Sequence, residues 1–156
     1  MISISERVLT QIHLHAERSY PEECCGALLG TDHDDGRLVS NVLEIDNSQG
    51  SNRQRRFLVT PIQYRDVERV ADSLNLELVG FYHSHPDHPA IPSQFDTDHA
   101  MPWLTYIIVS IAKGKAGKTT AWLLRGDRKK FDETPILVTG ADQVELFTNE
   151  TLIAHY

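Results

Sequence analysis

Residues Leu76–Asp96, "LELVGFYHSHPDHPAIPSQFD", carry a strand, a stiff loop and the start of a helix in one run. Leu76–His85 reads as a central strand. Prolines 86, 89 and 92 then exclude regular strand through the next seven residues. Ser93 opens a short helix reaching about Ala100. Alternate side chains of a strand share a face, so His83 and His85 point together and Ser84 points away. Two imidazoles on one face can grip a single ion, although H-x-H alone also suits surface histidines. Ser93 and Asp96 have the spacing of a helix capping box. The same helix places Asp96 one turn in, on a rigid element folding back over the proline loop. His83, His85 and Asp96 then make three ligands with a fourth position open to water, the mark of a catalytic zinc site.

Working outward, Ser5 to Tyr20 has helical spacing, with Val8, Ile12 and His15 or Ala16 on one face and Ser5 as cap. Pro21 stops it. Cys24–Gly30 is a short apolar run closed by glycine, a buried strand. Thr31–Gly36 is a polar turn, and Arg37–Asp46 alternates as a strand. After a loop at Asn47–Asn52, Arg56–Thr60 reads as a short strand. Pro61 opens a second helix to about Asn75, at proline's favoured first position. Tyr106–Ala112 is an apolar strand, Gly114–Gly117 a turn, Thr119–Arg125 the returning strand, and Ile136–Thr139 an edge strand. The fold class is α/β (α+β): a mixed, mainly antiparallel sheet with two main helices.

The 156 residues suit one domain, long enough to bury a core without disulfides. The only cysteines, Cys24 and Cys25, are adjacent, which rules out a disulfide framework. Cys25 reads as a small buried apolar residue; a redox-sensing vicinal pair is the alternative. Lysine and arginine number 15 against 22 acidic residues, a net charge of −7. A nucleic-acid face needs clustered positive charge, so that partner class is set aside. Two basic clusters, Arg53/Arg55/Arg56 and Arg125/Arg128/Lys129/Lys130, read as solvated loop charge or as a patch for an acidic partner. No segment is long and apolar enough to span a membrane, and the N-terminus lacks a signal-peptide pattern, so a cytoplasmic location is expected.

Water on zinc is acidified toward neutrality but still needs a base. Pro21-Glu22-Glu23-Cys24-Cys25-Gly26 sits between the first helix and a buried strand, where a carboxylate can be held at a sheet end. Chemistry alone leaves Glu22 and Glu23 both open. A rival pattern, His83-x-His85-x-Asp87-His88, resembles the two-metal loop of metallo-β-lactamase-like hydrolases. That fold needs a longer chain and more downstream histidines than His99 and His155, and it gives Glu23, Ser93 and Asp96 no task. Asp87, His88 and His99 are therefore expected as loop residues lining an entrance. His13, His15 and His33 are expected on the helix surface and a turn, and Trp103 and Trp122 in the core or at its rim.

Pro21-x-Glu23, Cys25–Gly30, His83-Ser84-His85-Pro86 and Ser93-x-x-Asp96 together resemble the MPN/JAMM zinc metalloprotease family. The resemblance covers about Ile2 to Phe131, and it implies a single cytidine-deaminase-like domain over 1–156, with a core at 2–131 and an extension at 132–156. It implies one zinc ion on His83, His85 and Asp96. Glu23 would be general base and acid, and Ser93 would hydrogen-bond the attacking water or the developing oxyanion. "YPEECCGALLG", "GFYHSHPDHPAIPS" and "DETPI" are similar to bacterial members that process sulfur-carrier proteins. These hydrolases cut after the C-terminal Gly-Gly of a ubiquitin-like carrier, releasing cysteine or a short extension. Alternatives within the resemblance are a deubiquitinase-like isopeptidase on protein conjugates and a non-catalytic MPN scaffold. The family often forms homodimers, but no oligomer signal is readable in the sequence itself.

Overall fold

The computed structural model describes residues 1–48, 50–53 and 58–140. A short strand β1 (Ile2–Ser5) runs directly into helix α1 (Glu6–Ser19), whose cap Ser5 accepts from the Val8 N–H at 3.2 Å. Strands β2 (Cys25–His33) and β3 (Gly36–Ile45) form a hairpin, and helix α2 (Pro61–Ser73) follows behind a Thr60/Gln63 capping box. Strand β4 (Glu77–Pro86) leads through the proline loop to α3 (Gln94–His99). Strands β5 (Thr105–Ala112), β6 (Lys115–Leu124), β7 (Phe131–Thr134) and β8 (Ile136–Thr139) complete the chain.

All eight strands form one sheet in the order β7-β6-β5-β4-β2-β3-β1-β8. The pairs β2–β3, β2–β4, β5–β6 and β6–β7 are antiparallel, while β4–β5, β1–β3 and β1–β8 are parallel. The mainly antiparallel α+β architecture expected from the sequence is therefore present. Helix α1 buries Val8, Ile12 and Ala16 against one face of the sheet, with Leu28, Tyr82, Ile107 and Val109. Val67 and Ala71 of α2 pack on the other face, with Ala27, Leu29, Phe81 and Tyr106.

One irregularity sets which face the histidines occupy. Along β2, Leu28 pairs with Gly80 but Leu29 pairs with Leu78, so Val79 is an extra residue in β4. Leu78 packs on the α2 side, yet so does Phe81, three residues on; strict alternation would have put them on opposite faces. The bulge resets the phase, and His83 and His85 follow Phe81. It needs glycine, because a Cβ on Gly80 would lie 1.9 Å from the Thr105 carbonyl oxygen.

Several expectations are corrected. The sequence reading missed β1 and β7, each four residues long and paired only at or near a sheet edge. Leu58–Thr60 is not strand; the rest of that expected element lies outside the described residues. Leu58 is instead tied to the preceding loop, its N–H donating to Asn47 Oδ1 at 3.1 Å and its carbonyl accepting from Ser48 N–H at 3.1 Å. β2 and β3 close over Asp34–Asp35, a tighter turn than Thr31–Gly36. β5 and β6 close over Lys113–Gly114, both at positive φ, as a two-residue hairpin requires.

Candidate metal centre

The end of β4 carries His83 and His85 on one face, both only 1% exposed. Helix α3 brings Asp96 over them. His83 Nε2 and His85 Nε2 are 3.1 Å apart; Asp96 Oδ1 is 3.3 Å from the first, and Asp96 Oδ2 is 3.3 Å from the second. Ligands about 2.0 Å from a tetrahedral zinc are separated by about 3.3 Å, so the two imidazole nitrogens and the two oxygens of the Asp96 carboxylate stand at spacings close to those of zinc ligands. The donor set also fits, being two imidazoles and one carboxylate. His85 Nδ1 lies 2.7 Å from the Pro89 carbonyl. A carbonyl only accepts, so Nδ1 carries the hydrogen and Nε2 keeps its lone pair toward the cluster.

Burial alone would push the Asp96 carboxyl up. The adjoining His83 and His85 rings and the Ser93 N–H outweigh it and hold Asp96 well below the carboxylate range. Ser93 and Asp96 do form the capping box: Ser93 Oγ accepts from Asp96 N–H at 3.1 Å, and Asp96 Oδ2 accepts from Ser93 N–H at 2.7 Å. Cap and candidate ligand therefore coincide. The half-buried Ser93 hydroxyl uses its oxygen as acceptor there, leaving its hydrogen to donate.

Glu22 is exposed and Glu23 is buried, at 3% exposure. The Glu23 backbone is pinned on both sides, its N–H donating to the Arg53 carbonyl at 2.8 Å and its carbonyl accepting from Asn47 Nδ2 at 3.3 Å. A Glu23 carboxylate oxygen lies within 4.8 Å of ring nitrogens of His85 and His88. Glu23 Oε2 has no hydrogen-bond partner among the described residues. Burial pushes the carboxyl up to about 8, with His85 opposing and Asp96 reinforcing the shift. A buried carboxyl oxygen without a partner beside these ligand atoms is costly unless something else, such as a cation or a water, completes the site.

Ser84, which the sequence reading assigned only a direction, ties the halves of the site together. Its Oγ accepts from Cys24 N–H at 2.9 Å and its N–H donates to the Cys24 carbonyl at 3.2 Å. The residue between the histidines thus holds the residue after Glu23. Beside His83 and Asp96 lies a largely apolar pocket of about 320 Å³, lined by Leu58, Tyr64, Phe81, Phe95, Met101 and Tyr106, among others.

The remaining histidines and aspartates sort differently. Asp87 points away, accepting from Tyr20 Oη at 2.6 Å and Lys113 N–H at 2.9 Å, while His88 stacks on His85 with ring centroids 4.1 Å apart. His99 stacks on Phe95 and lines the pocket. His15 corrects the surface expectation: it is buried, with Nδ1 2.8 Å from Tyr82 Oη, because Tyr82 crosses the sheet beneath α1. Trp103 is 72% exposed rather than core. Both cysteines are free and buried, and burial pushes the Cys24 thiol up to about 11 and Cys25 higher still. Neither is a ready nucleophile.

Residues 5–125 match the family described as prokaryotic homologs of the JAB domain. The chain belongs to this family. A Pyrococcus furiosus relative named desampylase is 30% identical over 87% of this chain and 93% of its own length. A Thermus thermophilus relative, named as a probable TtuB-protein conjugate cleaving protease, is 27% identical over 69% of each chain. The solution structure of a Salinibacter ruber protein is 40% identical, with a TM-score of 0.70, covering 88% of this chain and 91% of that one. Within this JAB domain, all five residues carried over from the family resemblance lie at one end of the sheet. The rival His83/His85/Asp87/His88 set does not converge, because Asp87 faces Tyr20 and Lys113.

Proposed function

We propose that the protein is a zinc-dependent hydrolase that cuts after the C-terminal Gly-Gly of a ubiquitin-like sulfur-carrier protein, releasing cysteine or a short extension. The observation that carries the reading is the convergence of His83, His85 and Asp96 ligand atoms at spacings close to those around one zinc, with the buried Glu23 carboxyl and its unpartnered Oε2 alongside. The names of the relatives support a ubiquitin-like substrate.

His83, His85 and Asp96 would hold the ion, which supplies an acidified water and a Lewis acid at the scissile carbonyl. Glu23 takes the proton of the attacking water and returns it to the leaving amine. Its raised proton affinity, a consequence of burial, suits both halves of that task. Ser93 directs its hydroxyl hydrogen to the carbonyl oxygen as charge develops there. Ser84, through Cys24, keeps Glu23 in register with the histidines. The glycine tail reaches the site because it has no side chains to clash, and it extends along the cleft as an added strand.

The test is mass spectrometry of carrier proteins bearing a C-terminal cysteine or short extension, incubated with protein and zinc and then with chelator. Cleavage that stops on zinc removal and returns on re-addition is expected; cleavage indifferent to the chelator refutes the mechanism. Glu23→Gln should cut turnover by about 10²–10⁴-fold, the usual contribution of a general base. Its zinc content should stay at the wild-type level. A second reading, isopeptide cleavage of protein conjugates, is favoured by the name of the Thermus relative. Running a carrier–lysine conjugate in parallel separates the two.

A further inference from the structure

The candidate centre holds a second set of three ligands. Besides His83, His85 and Asp96, the side chains of Glu23, His85 and His88 bring one donor atom each within 4.8 Å of one another. We infer that Glu23, His85 and His88 form an outer station for the same divalent cation, through which the ion passes to reach His83, His85 and Asp96. This rests on reading the inner triangle as a metal centre.

Three observations lead there. First, both sets need His85, whose Nδ1 is engaged by the Pro89 carbonyl at 2.7 Å, so the lone pair at Nε2 serves both and only one station is filled at a time. Second, the two sets differ in access. The inner set is buried throughout, with imidazole and carboxylate atoms 3.1–3.3 Å apart, whereas the outer set includes the half-exposed His88. A hydrated ion exchanges its waters for ligands one at a time, so a set with one partly exposed member ahead of a fully buried set lowers the barrier to entry. Third, Glu23 is 3% exposed and its Oε2 has no hydrogen-bond partner among the described residues, which leaves a buried oxygen that a cation can occupy.

His88 is built in rather than incidental. Its Nδ1 faces the Pro86 carbonyl at 2.8 Å, so that nitrogen carries the hydrogen and Nε2 is the ligand atom. Its own carbonyl accepts from Ser110 Oγ at 2.9 Å. The preceding Asp87, at φ 55°, is clamped by Tyr20 and Lys113, and Tyr20 lies three residues before Glu23. The same hydrogen bond thus ties the segment bearing His88 to the one bearing Glu23. Passage of the ion inward also frees Glu23 for proton transfer, so loading and activation become one step.

The test is stopped-flow uptake of cobalt(II) by the chelator-stripped full chain, followed by visible absorbance, with release measured into excess chelator. His88→Ala and His88→Gln should still bind one equivalent with unchanged affinity. Both uptake and release should slow by about tenfold, equivalent to roughly 1.4 kcal/mol at the passage barrier. In Asp96→Ala a weak cobalt site should persist and vanish when His88→Ala is added. Unchanged rates overturn the inference. So does faster release with unchanged uptake, which would make His88 only a support for His85; such supports typically cost about 10–100-fold in affinity. A wild-type chain that takes up no cobalt overturns the inner site as well, and so marks a different failure.

Discussion

Replacing Glu23 with glutamine should make the metal-free protein more stable, with a defined dependence on pH. Glu23 is buried, and its carboxyl is pushed from an ordinary 4.5 up to about 8. Between those values the folded chain holds a proton that the unfolded chain has released. Stability therefore falls as pH rises through that window, and the loss is complete above about 8. The ceiling is about 3.5 pH units at 1.36 kcal/mol each, or about 5 kcal/mol. Glutamine keeps the shape and carries no charge, so it escapes this loss. Urea unfolding of chelator-stripped wild type and Glu23→Gln, from pH 4.5 to 9, should give curves that coincide at the acid end. They should separate progressively toward pH 8, with the variant the more stable. Saturating zinc should narrow the gap, because a cation beside Glu23 offsets the buried charge. Parallel curves across the whole range would show that Glu23 is not desolvated as the structure has it. A wild type more stable than the variant at pH 8 would mean that the carboxylate has a stabilising partner instead.

Asp96→Ala should remove tight zinc binding, because it deletes one corner of the triangle and half of the α3 capping box; metal analysis after gel filtration checks it, and one retained equivalent would mean the ligand set is misassigned. Ser84→Ala leaves the buried Cys24 N–H without its acceptor and should cost about 1–3 kcal/mol, read as a lower urea midpoint. Turnover should fall further than zinc content, since Glu23 and the histidines lose their tie. Gly80→Ala drives a Cβ into the Thr105 carbonyl and should destabilise by about 1–3 kcal/mol or more, with the loss checked by thermal melting.

Much of the site was legible because its chemistry lies in local patterns. His-x-His on a strand end needs only period-two alternation, and Ser93-x-x-Asp96 needs only one helical turn. The choice between Glu22 and Glu23 was not legible from chemistry, since both are carboxylates beside the same proline. Folding distinguishes them by burying Glu23 and leaving Glu22 in solvent. His15 looked like a surface histidine because helical periodicity does not reveal that Tyr82 waits beneath it. β1 and β7 are short enough that pairing partners, rather than propensity, make them strands.

The sequence by itself determined the donor types, their order along the chain, the helix caps and the elements carrying them, because those depend on side-chain chemistry and local spacing. Tertiary structure alone decided the phase of β4. The extra residue at Val79–Gly80 exists only in the pairing with β2, and it turns His83 and His85 onto the face where Asp96 of α3 and the buried carboxylate of Glu23 meet them. Bulges are set by the registry between strands distant in sequence, and no local pattern in Leu76–His85 encodes that registry.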